Sequence, residues 1–181
     1  LVSVVRASNP ERIVIISPRL RSDPAYLWDL VIPSAANGYL MAEWHFYASG
    51  PSKENQRKLW TSGTAEERAL IQEKIDLALQ WQKETGIPTW VGAWMPGDYN
   101  EGDTYTIEEQ VAFASYMTQS LTDAGIPFAV NADQHFYDRE QRKWLEDMQP
   151  VFAAIYGQQI LPSQDFPEDT GYHSAVPYVY R

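Results

Sequence analysis

Two segments of this chain follow one plan: a helix-capping box, a stripe of apolar residues at helical spacing, the tripeptide Gly-Ile-Pro, and a short apolar run. The first starts at Thr64-Ala65-Glu66-Glu67 and reaches Gly-Ile-Pro at 86–88; the second starts at Thr106-Ile107-Glu108-Glu109 and reaches it at 125–127. In each box the Thr hydroxyl and the second Glu carboxylate satisfy free N–H groups at the helix start. The Gly supplies a cap that ends the helix, and the Pro keeps the following residues from continuing it. A helix of this length between apolar runs is the crossover of a right-handed βαβ unit. Repeated, it commits the chain to an α/β fold with a helix-covered parallel sheet.

The flanking stretches extend the plan. Residues 1–6 read as the last turns of an amphipathic helix, so the chain is expected to begin mid-fold. Residues 12–17 (Arg-Ile-Val-Ile-Ile-Ser) are a β-branched run of the kind found in doubly covered parallel strands. A short helix is predicted near 25–30, and a second strand over 39–47 after the Asn37-Gly38 turn. Leu70, Ile71, Ile75, Leu77, Ala78 and Trp81 form the apolar stripe of the first full helix; Val111, Phe113, Ala114, Met117 and Leu121 form that of the second. Residues 88–96 and 128–131 give the third and fourth strands. A final helix is predicted over 138–156, kinked or broken at Pro150. Residues 1–156 then form the domain, and 157–181, rich in Pro, Gln, Ser and Tyr, a C-terminal extension or linker.

Two architectures fit four such units, a small open sheet or half of an eightfold barrel. A complete barrel needs at least about 200 residues, more than the 181 here. Half a barrel leaves open sheet edges, which demand a partner.

Composition narrows the function. A net charge of −10, with one short mixed basic cluster at 53–58, argues against a nucleic-acid partner. No apolar run approaches the roughly 20 residues of a membrane helix. With no Cys there is no disulfide or thiolate site, and His45, His135 and His173 are too widely spaced for zinc. Asp98, Asn100 and Glu109 fall at calcium-loop positions, but Gly102 and Asp103 break that pattern. No strand is followed by a Gly-rich phosphate loop. No metal or organic cofactor is therefore expected. Seven Trp and 11 Tyr suit core packing or stacking on flat ligands.

Sites in α/β proteins are built at the C-terminal ends of strands. Alternation along the second strand puts Met41, Glu43, His45 and Tyr47 on one face and Ala42, Trp44 and Phe46 on the other. His45 and Tyr47, nearest the strand's end, would line a site; Glu43, one layer deeper, reads as structural. The third strand opens into a loop rich in Gly, Asp, Asn and Tyr at 97–105.

These pieces resemble a known family. Arg-x-Ser-Asn-Pro-Glu-Arg-Ile-Val-Ile-Ile-Ser-Pro (6–18), Met-Ala-Glu-Trp-His-Phe-Tyr (41–47), Pro-Thr-Trp-Val-Gly-Ala-Trp (88–94) and Phe-Tyr-Asp (136–138) before Trp144 look like the second half of a glycoside hydrolase family 5 enzyme, the cellulase family. The resemblance implies strands five to eight of a (β/α)8 TIM barrel, with the N-terminal half-barrel supplied upstream or by a second chain, or the open edges covered by self-association. It implies a secreted enzyme acting on an oligosaccharide or polysaccharide, a β-1,4-glucan, by retaining hydrolysis. The family's Asn-Glu-Pro, which carries the acid/base, is absent here. Its nucleophile, a Glu after Val-Gly, is replaced by Ala93. The resemblance assigns His45 to the sugar and Tyr47 to the nucleophile position. It also places Trp94, Tyr99 and Asn131 along the cleft, Asn131 standing where the family has a Trp platform.

Retaining hydrolysis needs two carboxyl groups about 5–5.5 Å apart, and a methyl group replaces neither. Ala93 is either an engineered knockout of the nucleophile, made to trap substrate, or the mark of a natural barrel half with altered chemistry. Glu101, on the adjacent loop, is a poor substitute. The alternative function is a catalytically inactive carbohydrate-binding or assembly module.

Overall fold

The computed structural model describes residues 2–36, 38–48, 58–97, 105–131 and 136–157. Helix α1 (Val2–Ser8) leads to strand β1 (Val14–Ile16), a single turn α2 (Arg19–Ser22) and a 3₁₀ helix over Pro24–Asp29. Strand β2 (Leu40–Tyr47), helix α3 (Ala65–Thr85), strand β3 (Thr89–Met95), helix α4 (Ile107–Asp123) and strand β4 (Phe128–Val130) follow in alternation. The four strands form one parallel sheet in sequence order, β1-β2-β3-β4.

Local chemistry sets these boundaries. Both capping boxes form. Thr64 Oγ1 accepts the Glu67 N–H at 3.3 Å while Glu67 accepts the Thr64 N–H at 2.9 Å, and Thr106 and Glu109 repeat the exchange at 3.2 and 2.9 Å. At the other end of α3, Gly86 closes the helix at φ 70°, a left-handed conformation that costs glycine little.

Helices α3 and α4 bury one face of the sheet. Ile71, Ile75, Ala78 and Trp81 from α3 and Phe113, Ala114, Met117 and Leu121 from α4 join Trp44, Phe46, Val91 and Trp94 in a single core. Each large side chain fully withdrawn from water there contributes about 1.5–3 kcal/mol. Leu70, assigned to the α3 stripe from sequence, is 38% exposed and lies outside it. The opposite face is different. Ile15 is exposed, and Met41, Glu43, His45, Trp90, Gly92 and Ala93 are half-buried. This half-open face carries the candidate site.

After β4 the sequence reading needs correction. Residues 138–156 are not one helix. They form a two-strand hairpin, β5 (Tyr137–Asp138) with β6 (Lys143–Trp144), then a 3₁₀ turn over Glu146–Met148 and helix α5 (Gln149–Tyr156). Asp138 Oδ1 accepts the N–H groups of Glu140 and Gln141, both at 2.9 Å, which fixes the turn, and Arg142 completes it at φ 52°. Pro150 stands in the first turn of α5, where its missing N–H costs nothing, so it starts a helix instead of kinking one. Of residues 157–181, expected to be an extension or linker, 158–181 lie outside the described residues.

Candidate functional site

The site is built on the pairing of β2 with β3. Trp44 pairs with Val91, but His45 pairs with Ala93, so Gly92 is an extra residue on β3. The β3–β4 pairing is irregular over the same stretch, Val91 pairing with Phe128 and Trp94 with Val130. An extra residue of this kind reverses the phase of alternation beyond it. Gly92 and Ala93 therefore both lie on the half-open face, and Trp94 turns to the helices.

That bulge brings His45, Tyr47 and Ala93 together and separates them from Trp94. The His45 and Tyr47 rings stand perpendicular with centroids 6.3 Å apart. Ala93 lies across from His45, as its register partner. Trp94, expected on the cleft, is instead fully buried against Phe113 and Phe128, each at 5.8 Å between ring centroids. Asn131 lies just past the end of β4. Its N–H donates to the Trp94 carbonyl at 2.9 Å, and the residue is half-buried. Tyr99, Glu101 and the calcium-like positions at 98–103 lie outside the described residues.

One residue of the site was underrated from sequence. Glu43 Oε1 lies 2.5 Å from His45 Nε2, with the two side chains only 23% and 21% exposed. A side chain at Gly92 would collide with the Glu43 carboxyl group. The signal available in the sequence was Glu-x-His on one strand face next to a glycine on the neighbouring strand.

The rim beside this site is tied down. Tyr105 Oη donates to the Ala48 carbonyl at 2.6 Å, linking the end of β2 to the start of α4. Lys58 reaches the Glu109 carboxylate at 2.8 Å and lies 4.7 Å from the Tyr105 ring centroid. Burial pushes the Glu109 carboxyl up, but the Lys58 and Thr106 hydrogen bonds and the Lys58 charge outweigh it, and its pKa is lowered. Among the described residues no group of three His, Cys, Asp or Glu is arranged to hold a metal.

The family model for cellulases, glycosyl hydrolase family 5, matches residues 1–134. The chain belongs to that family. Solved structures extend the fold comparison for this family 5 chain. The cellulose synthase subunit Z from Clostridioides difficile matches with a TM-score of 0.70 at 17% identity, over 86% of this chain and 52% of that one. A hyperthermophilic endo-β-1,4-glucanase solved with substrate matches at 0.67 and 21%, over 86% and 51%. An endoglucanase from Thermotoga maritima matches at 0.67 and 16%, over 84% and 50%. No curated protein sequence matches the chain. The chain spans about half the length of these structures. Its parallel β/α units, with the four-strand sheet, correspond to half of a (β/α)8 barrel.

Proposed function

We propose that this chain is the C-terminal half of a β-glucan-binding family 5 barrel, whose half-open sheet face meets the N-terminal half. The observation that carries this reading is the layer formed by His45 and Ala93, side by side near the C-terminal ends of β2 and β3. Enzymes of this fold build their sites at that end of the barrel. His45 and Asn131 contact the sugar, and Tyr47 backs the position at 93. The half-exposed Ile15, Met41 and Trp90 are interior positions that the other half covers.

Two carboxyl groups carry retaining hydrolysis. In this reading the acid comes from the other half, and the nucleophile position holds the methyl of Ala93. The same methyl favours a second reading, a barrel that binds glycan without cleaving it. Both readings share glycan binding at His45, and calorimetry tests it. Cellotetraose titrated into the complete protein is expected to bind, and His45→Ala to weaken binding about tenfold or more, the scale of one or two hydrogen bonds. No binding of any β-glycan would overturn both readings.

A further inference from the structure

We propose that Glu43 is a positioning residue for His45, and that the bare Cα of Gly92 is what admits it. The bond between Glu43 Oε1 and His45 Nε2 is 2.5 Å long and three-quarters shielded from solvent. A carboxylate only accepts hydrogen bonds, so the ring proton is on Nε2. In its neutral form such a ring keeps its lone pair at Nδ1, where it can accept from a ligand hydroxyl. Tyr47, itself buried, braces the ring edge-on from the next layer. Glu43 thus decides which nitrogen of His45 donates and which accepts.

Gly92 gives the pair its room. A Cβ at 92 would fall on Cγ, Cδ and Oε1 of Glu43, closer than real Cβ atoms approach anything. The backbone there does not require glycine, since φ at Gly92 is not positive. Space alone accounts for it. Because Ala93 carries no carboxylate, Glu43 is the acidic partner of His45 among the described residues.

The tautomer claim stands without any ligand; the consequence for binding rests on the glycan reading above. The test is the ring ¹⁵N pattern of His45 in the complete protein, assigned by its loss in His45→Asn. The wild-type protein is expected to show the Nε2–H form. Glu43→Ala should release it to a mixture of tautomers, and Glu43→Gln, whose amide oxygen still accepts, should restore it. Gly92→Ala should act like Glu43→Ala or unfold the protein. In either case Glu43→Ala with Gly92→Ala should be no worse than Glu43→Ala alone, since Glu43→Ala removes the side chain that the Cβ of Gly92→Ala would strike.

An unchanged tautomer in Glu43→Ala would overturn the proposal. So would a Gly92→Ala defect that persists in full in the double variant. Cellotetraose affinity is expected to fall about tenfold in folded Glu43→Ala, the loss of one charge-assisted hydrogen-bonding arrangement. If the wild-type protein binds no glycan, the functional reading fails, and the tautomer and the double variant still decide the role of Glu43.

Discussion

Across the β2–β3 pair, His45 lies opposite Ala93, and Gly92 has no counterpart on β2. This one extra residue decides which side chains of β3 lie on the half-open face and which meet the helices. Ala93 goes to the half-open face and Trp94 to the core.

Trp94 is therefore a stability residue. Its ring fills the space between Phe113 and Phe128. Trp94→Ala is expected to cost about 3–5 kcal/mol of unfolding free energy, measured by chemical denaturation, with unchanged glycan affinity in the folded protein. Lost affinity at near-native stability would return Trp94 to the cleft.

The capping boxes make stability depend on acid. For Glu67, burial pushes the carboxyl up, but hydrogen bonds from the Thr61 hydroxyl and from the N–H groups of Thr64, Gly63 and Thr61 outweigh it and leave it lowered. Glu109 is lowered as well, with Lys58 as its main favourable partner. A carboxyl lowered in the folded state adds stability above its unfolded value of about 4.3 and loses it as pH falls through the lowered folded value. Thermal unfolding followed from neutral pH to below about pH 4 should show the midpoint fall, and Glu67→Gln and Glu109→Gln should each flatten the fall. Thr64→Ala should cost about 1 kcal/mol at neutral pH. An acid response unaltered in both Gln variants would remove these carboxylates as its cause.

The rim contact can be tested separately. Tyr105 is buried, and its hydroxyl serves the Ala48 carbonyl at 2.6 Å. Tyr105→Phe leaves that acceptor with the Leu59 N–H at 2.8 Å and is expected to cost the net worth of one hydrogen bond, about 0.5–1.5 kcal/mol, read by denaturation. A loss near zero would mean that water replaces the hydroxyl and that the contact does not hold the rim.

Much of this was legible in the chain itself. The two capping boxes and the repeated Gly-Ile-Pro located α3, β3, α4 and β4, because caps and breakers act through neighbours in sequence. The shared face of His45 and Tyr47 followed from period-2 alternation along an unbroken strand. Trp94 did not follow, because alternation holds only while no residue is inserted. The bulge at Gly92 is a property of pairing with β2 and β4. Residues 138–148 misled for a related reason. Trp144, Leu145 and Met148 have helical spacing, but the Asp138 turn and the left-handed Arg142 divert the chain into a hairpin first. Glu43 was assigned its layer correctly and its partner not at all, because the Gly92 space that lets it settle beside His45 is on another strand.

In the proposed function, β3 presents the methyl of Ala93 where a carboxylate would complete a glycosidase centre. The most direct measurement is turnover of cello-oligosaccharides by the complete protein with and without Ala93→Glu, with the anomer formed first read by proton NMR. Turnover that appears with Ala93→Glu and retains the anomeric configuration is the expected result. No gain of turnover on any β-glycan, or products of inverted configuration, would contradict it.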